Sequence, residues 1–331
     1  MKYYILFLFM SISLFSHAQH EELGKVNWLR DYDQALQTAT RENKPVLLLF
    51  QEVPGCATCR NYGHNVMSHP LIVEAIETLF VPLAIFNNKG GKDADVLKKY
   101  NEPSWNNPVV RIVDHEGENL VPRVAGNYEK LAVTQAMIYA LQRESIAVPG
   151  YLSLLEAELK SRDKGLETTT LSMYCFWSGE KNLGAIDGVV ETQAGFMNGA
   201  EVVSVSYDPE KVSMEEILQE AQQAKCVYKV FSDNPEQIEA AITVLGSNSS
   251  SGKGNFKQDK EPKYYLTQTY YRFVPMTQLQ AARVNSSLAK GENPDQYLSK
   301  GQLAILKKAT QQKGQGWKNV INQDIQQAWP N

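Results

Sequence analysis

Cysteine is scarce in this chain. Cys56, Cys59, Cys175 and Cys226 are the only four in 331 residues, far too few for a disulfide framework. Charge of one sign is also lacking. The formal net charge is −4, so no global basic field draws the chain to nucleic acid or to an anionic membrane surface. All five histidines precede position 116, which denies the second half a Ser–His or Cys–His catalytic pair of its own. There is no Gly-rich phosphate loop, no internal repeat, and no apolar run of the ~20 residues that span a bilayer. What is present is a globular composition, 43% apolar and 21% charged, at a length that suggests about two domains.

The chain opens MKYYILFLFMSISLFSHAQ. One cation, Lys2, precedes a short apolar run that ends at Ser16-His17-Ala18, a small-x-small cleavage pattern. Residues 1–18 are therefore expected to be a signal peptide, and the mature protein to be exported, periplasmic or extracellular, with no membrane span. In an oxidising compartment, paired cysteines are structural, or redox-active where a partner reduces them.

Periodicity divides the remainder. Residues 28–44 predict an amphipathic helix and 45–50 a buried strand. A helix is expected over about 59–79, a strand over 80–86 and a short helix up to 100. Residues 109–114 and 118–124 read as two strands joined at His115-Glu116-Gly117, and 129–143 as a helix. The order αβαβα-ββα makes 24–146 one α/β domain. Residues 147–167, with Pro149-Gly150 and a charged helical stretch, read as a linker. Over 168–310 the pattern restarts: strand 168–174, helix 175–185, strands 189–195 and 201–207, helix 214–224, strand 226–231. This βαββαβ order is split-βαβ or ferredoxin-like, an α+β arrangement. A helix over 236–245, a mobile Ser/Gly/Lys-rich loop over 246–261 and two tyrosine-rich strands near 264–266 and 270–273 follow. A helix over 278–288 and a polar tail over 311–331 complete the expectation.

Cys56-Ala-Thr-Cys59 follows a buried strand and opens a helix. Unpaired amides at a helix N-terminus stabilise a thiolate there, and CxxC beside a βαβ pattern is a redox signal. The stretch VNWLRDYDQALQTATRENKPVLLLF…VPGCATCRNYGHNVMSHPLIVEAI resembles the thioredoxin-like proteins over about residues 25–145. It is similar in particular to a group that can carry selenocysteine at the first motif position. The resemblance implies that Cys56 attacks, that Cys59 resolves, and that Pro108, after Asn107, is a cis proline beside the motif. Gly55 stands where an aromatic residue usually precedes the first cysteine. A metal reading competes, because Cys56-x2-Cys59-x4-His64-x4-His69 has finger-like spacing. A continuous helix and the preceding strand favour redox, so no metal and no cofactor is expected.

In the second half, Tyr174-Cys175-Phe176-Trp177 lies at a strand-to-helix junction. Two aromatics beside a sulfur suit a thioether or sulfoxide, because sulfur packs well against rings. The run YCFWSGEKNLGAIDGVVETQAGFMNGAEVVSVSYDPEKVSMEEIL resembles peptide methionine sulfoxide reductase of the A type over about residues 168–305. That resemblance implies Cys175 as nucleophile, Phe176 and Trp177 as methyl-binding aromatics, Glu201 as catalytic acid, and Asp259 with Tyr264 as further substrate contacts. Asp295-Gln-Tyr-Leu-Ser-Lys300 is similar to another block of that family. Tyr174 replaces the glycine before the nucleophile, the histidine of the Glu201 block is lost, and the C-terminal resolving cysteines are absent. Cys226 or the Cys56–Cys59 dithiol would then resolve a sulfenic acid at Cys175.

The function expected is an exported thiol oxidoreductase, reducing peptide methionine (S)-sulfoxide with CxxC as built-in reductant. Its partners would be oxidised or disulfide-containing proteins and an upstream thiol reductant, with no nucleic acid. Two alternatives stand beside it: a thiol-disulfide oxidoreductase with a non-catalytic binding domain, and a metal-carrying module built on Cys175.

Overall fold

The computed structural model describes residues 20–105 and 107–330, so the segment 1–18 lies outside the described residues. The first unit contains helix α1 (Tyr32–Glu42), strand β1 (Val46–Gln51), helices α2 (Ala57–Asn65) and α3 (Pro70–Leu79), and strand β2 (Val81–Phe86). It continues with α4 (Lys92–Lys99), β3 (Val109–Val113), β4 (Val124–Ala125) and α5 (Lys130–Arg143). The sheet order is β2-β1-β3-β4, with β2 parallel and β3 antiparallel to β1.

Every residue of β1 is buried, because helices cover both faces of the sheet. Successive side chains alternate between faces. Leu47 and Leu49 join Ile72, Ile76 and Met137 on one side. Val46, Leu48 and Phe50 meet Ala35, Ala39, Val96 and Leu97 on the other. This central strand delivers its C-terminal end, and the Cys56 loop after it, to one rim of the sheet.

The helix expected over 59–79 is two helices. Pro70 opens α3 at its first position, where a missing N–H costs nothing, and residues 66–69 turn the chain between them. Helix α1 begins only at Tyr32, capped by Asp31, because Leu29 bridges to Leu83 as extended chain. The strand expected over 118–124 shrinks to β4 and a single bridge from Asn119 to Val113.

The segment expected as a linker is packed helix α6 (Gly150–Lys164). Tyr151, Leu152 and Leu155 enter the core of the first unit. Its far end meets the second unit: Glu158 accepts from Leu279 N at 3.0 Å and Ser161 donates to Asp208 at 2.8 Å. The charges that suggested a solvated connector are satisfied in place, Glu158 also pairing with Arg162 at 3.0 Å.

The second unit runs β5 (Glu167–Met173), α7 (Phe176–Leu183), β6 (Val189–Met197), β7 (Ala200–Tyr207), α8 (Met214–Gln223) and β8 (Val227–Phe231). After it come α9 (Pro235–Leu245), β9 (Ser250–Ser251), β10 (Lys257–Gln258), α10 (Tyr264–Thr267), α11 (Gln278–Lys290), α12 (Lys300–Gln311) and α13 (Ile325–Ala328). The sheet order is β10-β6-β7-β5-β8-β9. Each of its four central strands is antiparallel to its neighbours among them, with the connectivity βαββαβ, as the sequence implies. Leu171, Val203, Val205, Ile217 and Leu218 form its core against α7 and α8.

The stretch 246–261, expected as a mobile loop, adds an edge strand to each side of this sheet. The tyrosine-rich stretches are helical rather than extended: α10 and a 3₁₀ turn at Tyr270–Phe273. Aromatic residues favour strands, but buried Asn285 accepts from Leu266 N at 3.1 Å and Thr269 caps Tyr271 N, so tertiary bonding overrides that preference. The tail also departs from expectation. Ile325 enters the core of the first unit, and Gln326 donates to the His64 carbonyl at 2.8 Å. Glu74 of α3 accepts from Gly301 N at 2.9 Å and Ser299 Oγ at 2.5 Å, so the units rest on each other. No helix of the described residues is long and apolar enough to cross a membrane.

Candidate active site

The first cysteine pair stands at the rim where β1 ends. Cys56 is the N-cap of α2 and is exposed, whereas Cys59, in the first turn, is buried. Their sulfurs are 3.8 Å apart and both are free thiols. The backbone amide of Cys59 pulls the Cys56 thiol below its usual 9.0, as unpaired amides at a helix start should. Burial pushes Cys59 up to about 11. The two thiols are thus differentiated into an accessible, thiolate-prone sulfur and a sheltered, protonated one.

The loop around them is tightly braced. Buried Gln51 donates to the carbonyls of Glu22 at 2.6 Å and Cys59 at 3.1 Å. Glu22 accepts from Gly55 N at 2.7 Å. A Cβ on Gly55 would overlap the Glu52 carbonyl and stand 2.7 Å from Cys59 Cβ, which explains glycine in place of an aromatic residue. Asn107-Pro108 is a cis peptide, and Cys59 Sγ donates to Asn107 Oδ1 at 2.9 Å. Pro108 is thereby beside the motif as expected, itself buried.

The finger-like metal reading does not assemble. His69 caps α3 inside the core, where burial holds its imidazole down at about 4, and His64 lies at the end of α2. Among the described residues the one donor that groups with the two cysteines is Glu52.

The second site forms where β5 ends. Cys175 is the N-cap of α7 and half-buried. Asn198 and Gly199, both at positive φ, make the tight turn from β6 to β7, as Asn-Gly favours. That turn sets Glu201 opposite Phe196 and delivers its carboxylate to the helix start, where it accepts from Phe176 N at 2.9 Å. The candidate acid is therefore bonded to the residue next to the candidate nucleophile.

Aromatic rings surround this point. Phe176 stacks on Trp177 and meets Phe196 edge-on, with centroids 5.7 and 5.3 Å apart. Trp177 stacks on Tyr264 at 4.0 Å. On the other flank Tyr174 is 71% exposed and leans on Tyr228 at 5.0 Å. Of the residues the sequence singled out, Cys175, Phe176, Trp177, Glu201 and Tyr264 come together. Asp259 follows β10 and is held into the sheet by its amide, which donates to Ala194 O at 2.9 Å.

Cys226 departs from the expected resolving role. Its carbonyl accepts from Tyr174 N, one residue before Cys175, but its side chain packs into the core. The thiol donates to the Ala221 carbonyl at 3.2 Å and is pushed up by burial. A sulfur so held is neither ionised nor presented.

Sequence reasoning missed the support beneath Tyr264. Lys263 and Glu180 form an ion pair with both side chains wholly buried, Nζ to Oε1 3.3 Å. Glu180 also accepts from Lys263 N at 2.7 Å and Ala194 N at 3.1 Å, and Lys263 Nζ donates to the Thr192 carbonyl. The pair fixes α10 against α7, the helix that carries Phe176 and Trp177. Two isolated charges gave no sequence signal, because their partnership spans 83 positions.

An exposed–buried CxxC on a thioredoxin-like sheet, joined to a half-buried cysteine at a helix start, defines an oxidoreductase acting on sulfur groups. Residues 27–124 match the family model described as thioredoxin-like. The peptide methionine sulfoxide reductase MsrA of Geobacter metallireducens is 30% identical over 120 residues, which cover 27% of this chain and 74% of that protein. The Methanoculleus marisnigri enzyme of the same name is 38% identical over 73 residues, covering 17% of this chain and 44% of that protein. The rat mitochondrial peptide methionine sulfoxide reductase is 36% identical over 72 residues, covering 17% of this chain and 31% of its own. The chain thus spans less than half of these last two relatives. A solved structure titled DsbH oxidoreductase covers 39% of this chain and 92% of its own, with a TM-score of 0.31 and 15% identity. The chain belongs to the peptide methionine sulfoxide reductase MsrA family and carries a thioredoxin-like domain over residues 27–124.

Proposed function

We propose that the protein reduces methionine sulfoxide in exported proteins, with its own CxxC as the reductant. The observation that carries this reading is the Glu201 carboxylate on the amide of Phe176, beside Cys175 and within an aromatic cluster. The Cys175 thiolate attacks the sulfoxide sulfur. Glu201 passes a proton to the sulfoxide oxygen as the S–O bond weakens. The oxygen passes to Cys175, which becomes a sulfenic acid, and the substrate leaves as the thioether. Phe176, Trp177 and Tyr264 hold the methyl side of the substrate against ring faces.

The sulfenic acid is cleared by thiol chemistry. Cys56 attacks Cys175, releasing the oxygen as water and forming a mixed disulfide. Cys59 then gives up its proton and attacks Cys56, which frees Cys175 and leaves a Cys56–Cys59 disulfide. The core placement of Cys226 supports assigning this step to Cys56. An upstream thiol reductant restores the dithiol. Export by way of residues 1–18 belongs to the same proposal, since that compartment needs its own reducing supply.

Turnover of a methyl sulfoxide substrate with dithiothreitol tests the first step, and replacing dithiothreitol by a reductant that acts only on Cys56–Cys59 tests the second. The exposed Cys56 thiolate favours a second reading, in which the protein reduces disulfides and its second unit only binds the partner. That reading requires Cys56 and is indifferent to Cys175.

A further inference from the structure

Glu52 follows β1 into the Cys56 loop and brings a carboxylate to the two thiols. That carboxylate, Cys56 Sγ and Cys59 Sγ all lie within 4.8 Å of one another. The sulfurs are 3.8 Å apart. A tetrahedral zinc with Zn–S bonds of about 2.3 Å holds two sulfurs about 3.8 Å apart, and a sulfur and a carboxylate oxygen about 3.5 Å apart. The pair is thus already spaced as two corners of that tetrahedron.

The donors are also held in place. Val53 N donates to Asn88 Oδ1 at 3.3 Å, Asn88 Nδ2 to Pro54 O at 3.3 Å, and Arg60 to Gly55 O at 2.6 Å. Cys59 is buried, Glu52 half-buried and Cys56 exposed, and three protein ligands leave the fourth tetrahedral position to water.

We propose that the reduced Cys56–Cys59 pair and Glu52 form a three-ligand site for one Zn²⁺. Two thiolates select against magnesium and calcium, and a carboxylate as third donor suits zinc better than the all-sulfur preference of Cu(I). Two Zn–S bonds and one Zn–O bond form, and both thiol protons leave to solvent. Zinc is redox-inert, so neither sulfur is oxidised. Both sulfurs are nevertheless committed to the metal, and the dithiol is closed to exchange until zinc is withdrawn. Binding stands independently of the sulfoxide chemistry; the consequence, a reversible block on recycling Cys175, rests on the function proposed above.

The test uses the full chain, reduced and freed of small thiols under anaerobic conditions, titrated with Zn²⁺ against a chromophoric chelator. One zinc per chain is expected in the reduced protein and none once Cys56 and Cys59 are joined as a disulfide. Cys56→Ser loses the site, and Glu52→Gln weakens it at least about tenfold while its metal-free thiols alkylate as in the parent. Cobalt in place of zinc gives the intense visible bands of a tetrahedral thiolate site, shifted by Glu52→Gln. Cys175→Ser and Cys226→Ser bind as the parent does. The proposal is overturned if the reduced chain takes up no stoichiometric zinc, if Cys56→Ser retains it, if Glu52→Gln binds unchanged, or if Cys175→Ser loses it. Sulfoxide turnover with dithiothreitol in metal-free buffer is read separately, so failure there leaves the metal result standing.

Discussion

Replacing Lys263 by methionine isolates the energetics of the buried pair beneath the aromatic cluster. Lys263 and Glu180 have no exposed side-chain surface, so water cannot take over the role of either partner. Methionine keeps most of the volume, and lysine itself already sits at positive φ (55°), so neither a cavity nor new backbone strain confuses the result. What is lost is the cation facing Glu180 and the donor to the Thr192 carbonyl. Removing one member of a buried pair typically costs about 3–5 kcal/mol. Two backbone amides still serve Glu180, which places the cost near the lower end, ~3 kcal/mol. For a unit of this size, that lowers the melting temperature by roughly 6–12 °C. Thermal unfolding followed by tryptophan fluorescence reads it, since Trp177 stacks on the residue after Lys263. Adding Glu180→Gln should recover more than ~1 kcal/mol relative to additivity. A single variant melting within ~2 °C of the parent would refute the reasoning.

Three further outcomes follow from the geometry. Glu201→Gln keeps an oxygen on Phe176 N and so leaves melting nearly unchanged, but lowers sulfoxide turnover by about 10²–10⁴-fold. Iodoacetamide labelling of the reduced chain, located by mass spectrometry, modifies Cys56 below pH 9.0 and Cys59 only as the pH nears about 11. His69 binds its proton at about 4 folded against 6.5 as its ordinary value, with Lys130 disfavouring the charge and Asp324 favouring it. The unfolded chain therefore carries the extra proton between these values. Denaturant titrations should show the first unit losing up to ~1.4 kcal/mol per pH unit as the pH falls through that window. His69→Gln should flatten the slope.

The sequence carried local signals well and long-range ones poorly. The run of apolar residues in β1, the Asn198-Gly199 turn and the Cys56 and Cys175 helix starts are each encoded within a few positions, and the structure has them where the pattern put them. Both cysteine sites were legible for that reason. The exceptions share one cause. Helix α6 looked like a linker because Glu158 and Ser161 are satisfied by residues far along the chain. The tyrosine stretches looked extended because the bonds that wind them come from Asn285 and Glu180. Cys226 is bonded through its carbonyl to Tyr174, beside Cys175, and only the packing of α8 shows that its sulfur points into the core. Glu52 was silent because a lone acid beside a strand says nothing until the fold closes it on two sulfurs.

The most direct test of the central claim is reduction of a methionine sulfoxide peptide by the purified full chain with dithiothreitol, parent against Cys175→Ser. Conversion to methionine is expected from the parent and none from the variant, with disulfide reduction by Cys56–Cys59 intact in both. Equal conversion by the two proteins, or none by either, contradicts it.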